Sequence, residues 1–383
     1  MSVCRGCGDS DLSRVLDLGR VPAADYFPVA TKPVEAGESS HELAMDVCGN
    51  CGLAQLADDD TIADEPRAVE PQALKDQADD AIERVAQAGW LRGNTVLEFG
   101  SPHGGTWIPL LTERGFTAVS SSADVLLDCF GIMHEPDQRS AFIQRAQLIR
   151  PGGLLLLQYH SIVTIVGQDQ WNALRHGHFA YYSLTALKRL LGAVGLRPVI
   201  AWEFDLYGGT VLLAATRGAV EPDESVLRIL AAEDALGITQ PAVLASLQCA
   251  ADRHSAALRS WLESESEAGR TVLAYGAASR AVALFTRAGI DSRLLAAVAD
   301  ASPAKQGRRM PGTDIPIVSP RELLTAEPDR VLLTLPDLLP EVSARFPELA
   351  GRWTVDGQLP ESIARRDRQK RCNYEYKQAA HRG

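Results

Sequence analysis

The sequence predicts an α/β chain in three parts, and three observations predict it. Two Cys-x-x-Cys pairs, Cys4/Cys7 and Cys48/Cys51, open the chain, and each runs into a glycine (Gly8, Gly52). An apolar strand, a glycine turn and a helix start follow one another at residues 95–114, and again from residue 271. Around them strand-like and helix-like stretches alternate, the pattern of α/β architecture. The expected parts are a zinc-binding module (1–58), an α/β domain with a helical lead-in (59–220), and a second α/β domain (269–383). A helical connector (221–268) joins the last two.

The first part needs a metal because it is too short to build a core. Two Cys-x-x-Cys knuckles bring four thiolates to one tetrahedral zinc, and four thiolates leave no open position, so the zinc is structural. Unrelated free thiols or a redox pair are the alternative. Cys129, Cys249 and Cys372 are isolated and read as small buried hydrophobes.

The helical lead-in is expected over residues 73–89, where Ala78, Ile82 and Val85 recur at helical spacing. A strand then runs into Glu98-Phe99-Gly100 and on to Gly104-Gly105, with a helix at 106–114. This is a Rossmann-type opening, in which glycines let a nucleotide approach the backbone at a helix N-terminus. Glu98, Gly100 and Gly104 are its candidate cofactor contacts. The second strand, 116–119, breaks the pattern: it ends in Ser120-Ser121-Ser122, where a ribose-gripping acid is expected. Asp124 is close by but opens the next strand, 125–130. A parallel crossover needs about ten residues or more, so one helix-strand unit is expected to be missing here. Losing a charge-assisted contact to a ribose diol costs roughly 1.5–3 kcal/mol. The gap therefore argues against retained nucleotide-cofactor binding.

Further along come a loop with His134, a helix (138–149), a strand (154–159) and the run Arg175-His176-Gly177-His178-Phe179-Ala180-Tyr181-Tyr182. Two histidines and two tyrosines in so few residues suggest proton chemistry. His103 and His160 add imidazoles near strand ends. A helix (184–194) and a hairpin through Tyr207-Gly208-Gly209-Thr210 complete the middle part. In the last part, the turn at Gly276 and the Lys305-Gln306-Gly307 loop are placed to face an anion.

In this order the parts resemble the nucleotide-sugar C-methyltransferases of deoxysugar biosynthesis. The segments that carry the resemblance are Leu18-Gly19-x-x-Pro22, Gly208-Gly209-Thr210, Tyr275-Gly276-Ala277, and Lys305-Gln306-Gly307 through Pro311-Gly312-Thr313-x-Ile315-Pro316-Ile317. The resemblance implies a methyltransferase fold in the middle domain and zinc on the four cysteines. It implies S-adenosylmethionine at the first glycine turn, and a nucleotide-sugar toward the C-terminal domain at Tyr207, Gly208, Gly276, Lys305 and Gln306. It also implies that His178 is the base, with His176 and His134 beside it. Arg175 and Gly177 stand where the family has tyrosine and glutamate. The family's aromatic-serine segment would fall at residues 64–71, which hold no tyrosine.

Three functional expectations follow. One is an enzyme of natural-product biosynthesis that has lost its methyl donor. It would use His178 with His134 or His176 as acid/base, Arg175 on an enolate, and Tyr181 or Tyr182 on a carbonyl, in isomerase, lyase or cyclase chemistry on a polyketide-like or nucleotide-sugar substrate. Another is an active C-methyltransferase with Asp124 or Glu98 as substitute cofactor contacts. The third is a non-catalytic binding protein. Across 383 residues the net charge is -11, which disfavours nucleic acid as partner. No apolar run has membrane-spanning length. The start Met1-Ser2-Val3-Cys4 has no signal-peptide pattern, so a cytoplasmic location is expected.

Overall fold

A computed structural model describes residues 2–61, 70–101 and 105–359. The N-terminal part is an antiparallel sheet whose first three strands are Leu12–Val21, His41–Cys48 and Ala54–Leu56. Its fourth strand, Ala180–Tyr181, comes from the His/Tyr run far along the chain and pairs with Ala54 and Gln55. The sequence reading kept these two regions in separate parts. The pairing was not legible because a two-residue strand carries no periodicity.

The middle sheet has six strands in the spatial order Thr117–Ala118, Thr95–Phe99, Ala123–Cys129, Ile149–His160, Thr210–Arg217, Leu196–Phe204. The first four are parallel and the last two form an antiparallel hairpin. Alternate residues face opposite sides. Val96, Val125, Leu127, Leu154 and Leu156 pack toward the helix Gln72–Gln87. Leu97, Leu126, Leu155 and Leu157 pack toward Phe142, Leu187 and Leu190, and with them Cys4, Cys48 and Leu53. Both faces are covered, which is why Leu154 to Leu157 reads as an unbroken apolar run.

The expected gap is present. Ala118 and Val125 both sit opposite Val96, on its two sides. The second strand is two residues long, so the chain passes from it to the next strand through residues 119–122 alone. The helix expected over 106–114 is Ile108–Thr112. Trp107 is already buried in the sheet's core, and Gly115, at φ +87°, turns the chain away.

The C-terminal sheet is wholly parallel, in the order Ile317–Val318, Val298–Ala299, Val272–Tyr275, Arg330–Leu333, Trp353–Val355. By sequence this is third, second, first, fourth, fifth, the doubly wound arrangement. The helices Ser246–Glu267 and Ser279–Ala288 bury their apolar faces against Val15, Leu16, Leu18 and Val21 of the N-terminal sheet. The N-terminal sheet therefore contributes to two cores, one with each α/β layer. Among the described residues no helix is long and apolar enough to cross a membrane.

Candidate functional site

The four cysteines meet as expected. Their sulfurs all lie within 4.8 Å of one another, with Cys4–Cys51 at 3.5 Å and Cys7–Cys48 at 3.6 Å. Zn–S bonds of about 2.3 Å at tetrahedral angles need S–S separations of roughly 3.8 Å, so the quartet fits zinc. Gly8 and Gly52, at φ +81° and +76°, form the knuckle turns. Burial pushes the Cys7 thiol up to about 11, while the hydrogen bond from Cys51 pulls Cys4 down to about 5. A divalent cation supplies the charge that lets such thiols act as thiolates. The three buried sulfurs and this closed geometry suit a structural ion.

The second site is a cleft of about 310 Å³ between the C-terminal ends of the parallel strands of the middle and C-terminal sheets, the place where open α/β sheets take ligands. From the middle sheet it receives Glu98 and Gly100, His134 and His160. From the His/Tyr run it receives Arg175 and His178, and from the hairpin Tyr207. Tyr275, Gly276, Ser279, Arg280 and Lys305 come from the C-terminal sheet.

The histidines divide by tautomer. His134 Nδ1 lies 2.9 Å from the Gly177 carbonyl, which can only accept, so Nδ1 carries the proton and Nε2 is the basic nitrogen. His178 is buried, and its Nε2 accepts from Arg175 Nε at 2.8 Å. The two rings meet edge to face with centroids 4.4 Å apart. Arg175 also donates from Nη1 to Ser279 Oγ at 2.6 Å, tying the histidine run to the C-terminal sheet. The expected base, His178, thus has its Nε2 lone pair engaged by a cation. His134 is the better placed acceptor.

Several expected site residues stand elsewhere or are occupied. His176 is buried outside the cleft, with Nε2 on the Glu42 carbonyl (3.1 Å) and its ring against His41. The Tyr181 hydroxyl accepts from Arg175 N (3.1 Å) and donates to the Ala173 carbonyl (3.3 Å). The Tyr182 hydroxyl donates to Gln138 Oε1. Burial pushes both phenols above their ordinary pKa. They border the cleft as walls, since their hydroxyls are spent on the fold.

Asp124 does not line the cleft. It starts its strand, at the end opposite the glycine turn, and accepts from Asn94 N (2.9 Å) and from Thr95 N (3.0 Å) and Oγ1 (2.8 Å). This makes it a brace for the first strand. Gln306 holds its own loop through the Asp300 carbonyl (3.0 Å). Lys305 borders the cleft, donates to the Ala277 carbonyl (2.9 Å) and lies over the Phe27 ring. Glu98 lines the cleft, where it accepts from Thr106 Oγ1 (2.5 Å) and Trp107 N (2.7 Å) and so closes its own turn. Gly208 accepts from Gln168 Nε2 (2.7 Å) and sets Tyr207, whose φ of +55° is unusual for a tyrosine. Gly104, His103 and the segment 62–69 lie outside the described residues, as does Cys372.

Sequence reasoning missed Arg280 as a site residue. Its signal was available, a cation in the first turn of a helix that follows a strand and a glycine turn.

A family model described as the C-methyltransferase C-terminal domain matches residues 205–355, and a zinc binding domain model matches residues 4–61. The C-methyltransferase NovU of Streptomyces niveus is 26% identical over 412 aligned positions, covering 94% of this chain and 96% of that protein. Along nearly its whole length the chain is similar to C-methyltransferases. Solved structures resemble it more faintly. A magnesium protoporphyrin IX methyltransferase from Synechocystis PCC 6803 is 12% identical over 38% of this chain and 84% of that one, at a TM-score of 0.28. An S-adenosylmethionine-dependent methyltransferase from Clostridium acetobutylicum is 10% identical over 38% and 92%, also at 0.28. Likenesses this slight add nothing to the sheet order already described. With this similarity the chain is a methyltransferase-fold enzyme with a small-molecule substrate.

Proposed function

We propose that this protein performs acid/base chemistry on a carbonyl-bearing small molecule of natural-product biosynthesis, as an isomerase, lyase or cyclase that does not use S-adenosylmethionine. The observation that carries the reading is the short link at residues 119–122. It leaves the methyl-donor side of the middle sheet without the helix-strand unit that would enclose an adenosine. Two further features agree with it. Ser120 and Ser121 are exposed and outside the cleft, and the Glu98 carboxylate already serves its own turn.

The chemistry follows from the nitrogens. His134 Nε2 takes a proton from carbon next to a carbonyl, and His134 becomes imidazolium. The electron pair moves to the carbonyl oxygen, where the Arg175 guanidinium stabilises the enolate. Returning the proton to another carbon isomerises the substrate. Expelling a β-substituent, or letting the enolate attack a second electrophilic carbon, gives elimination or cyclisation.

Calorimetric titration of the zinc-loaded protein with S-adenosylmethionine tests the first half of this reading. No saturable heat is expected, and micromolar binding sinks it. Incorporation of solvent deuterium next to a substrate ketone, lost in His134→Ala, tests the second half.

A second reading keeps methyl transfer to a nucleotide-linked keto-deoxysugar. It is favoured by the similarity to the C-methyltransferase NovU and by the complete strand order of the C-terminal sheet. It requires label from methyl-labelled donor to appear in such a sugar.

A further inference from the structure

Arg280 stands in the first turn of the helix Ser279–Ala288, whose N-cap position, Ala278, offers no side-chain cap. Its half-buried side chain borders the cleft and makes no hydrogen bond or ion pair with any described residue. Burial, and then the charge of Arg175, pull its pKa below the ordinary value. Asp337 and Asp356 act on it through space without closing an ion pair, and burial raises the pKa of Asp337 itself. Arg175 is fixed next door by Ser279, and its Nη2 has no partner among the described residues. His160, at the end of its strand, borders the same space with Nε2 buried and unpaired. Burial, then Arg280 and Arg175, lower its pKa to about 3.

Two guanidiniums and an imidazole that face one cleft, with Asp337 and Asp356 acting only through space and no ion pair closed, are costly to the folded chain. An anion in the cleft relieves all three. We propose that Arg175, Arg280 and His160 form an anion subsite beside the His134–His178 pair, and that it takes the carboxylate or enolate oxygens of the substrate's own carbonyl unit. This deepens the acid/base reading above and rests on its carbonyl-bearing substrate. Arg175 decides between kinds of anion. It is bonded to His178, so the anion lies against the reacting unit, and a planar fork suits two coplanar oxygens.

The test uses zinc-loaded full-length protein with ring-labelled histidine, the His160 signal being assigned with His160→Gln. The probes are 4-oxopentanoate, its methyl ester and thymidine diphosphate. 4-Oxopentanoate should shift the His160 resonance saturably and raise its pKa, while the ester should not. Arg175→Met and Arg280→Met should each weaken this binding by about tenfold to a hundredfold, and Arg345→Met should leave it unchanged. Without ligand, Arg280→Met should melt no lower than the parent. Equal binding of acid and ester overturns the proposal. So does a lower melting temperature for Arg280→Met with anion binding intact, which marks a structural arginine. Thymidine diphosphate binding that needs Arg280 but ignores Arg175 and His160 also overturns it, in favour of a phosphate site. Anion binding that persists where deuterium exchange is absent leaves the subsite standing and sinks the catalytic reading instead.

Discussion

In the C-terminal sheet the second strand, Val298–Ala299, runs into Asp300, whose carboxylate accepts from Ala277 N (2.8 Å) in the first glycine turn. In the middle sheet the second strand, Thr117–Ala118, is followed by Ser120 and Ser121, which do not line the cleft. Both sheets begin with an apolar strand, a glycine turn and a helix, so the local sequence signal is the same. The place where the neighbouring strand pairs makes the difference, since both second strands are two residues long. Val298–Ala299 pairs with Ala274 and Tyr275, next to the turn, and so brings an acid to it. Thr117–Ala118 pairs with Thr95 and Val96, at the far end of the first strand, so the turn has no such neighbour and the chain links directly to the next strand.

The largest test of this contrast is removal of zinc. The strand Ala180–Tyr181 belongs to the zinc module's sheet, so losing the metal should disorder the histidine run beside both turns. Structural zinc contributes on the order of 10–16 kcal/mol in small zinc-held modules. Cys48→Ser is expected to lose the metal and the cooperative melt, as read by zinc content and circular dichroism.

Next is the buried pair under the middle turn. Arg145 Nε donates to Asp128 Oδ2 at 2.8 Å, the two side chains being 1% and 0% exposed. Its guanidinium covers the Phe99 ring. Arg145→Met leaves the buried carboxylate without its cation, with only backbone donors such as Ile132 N (2.8 Å), and should cost about 3–5 kcal/mol in denaturant melts. A smaller loss would mean that the open sheet relaxes around the charge.

The turns themselves can be compared directly. At Gly276, φ is +98° and an added Cβ would lie 2.7 Å from Thr334 Oγ1. At Gly100, φ is ordinary and nothing lies within 4 Å of an added Cβ. Gly276→Ala is expected to cost about 1–3 kcal/mol, while Gly100→Ala should stay within about 0.5 kcal/mol. Equal costs by chemical denaturation would show that the middle turn is as tightly closed as the other.

The smallest effects are in pH. His160, lowered to about 3 from 6.5, contributes stability that is present above pH 6.5. That contribution is lost as pH falls below 6.5, by up to about 1.4 kcal/mol per unit. His254 has the opposite sign. Burial lowers its pKa, but the charge and hydrogen bond of Asp356 outweigh burial and raise it. Its contribution is full below pH 6.5 and fades as pH rises through the folded value. His160→Gln should flatten the acid side of the melting-temperature profile, and His254→Gln the alkaline side.

Much of this was legible in the chain. The cysteine spacing declared the zinc site because knuckle geometry is local. The Leu154–Leu157 run declared a buried strand, and the short stretch after Val119 declared the gap, because both depend on chain length and period alone. The candidate site was less legible. His134 and His178 were found by type, but their roles turn on a carbonyl at Gly177 and a guanidinium at Arg175. Tyr181, Tyr182 and His176 were chemically eligible, and their polar atoms face Ala173, Gln138 and Glu42 instead.

The sequence by itself determined the metal ligands, the two strand-turn-helix openings and the missing crossover. Each depends on spacing between near neighbours, which folding cannot alter. Tertiary structure decided that the histidine run would join the zinc module's sheet, that Asp124 would brace the far end of its strand, and that Arg175, Arg280 and His160 would converge. These are meetings between residues tens to more than a hundred positions apart, and they depend on how the two sheets face one another across the cleft.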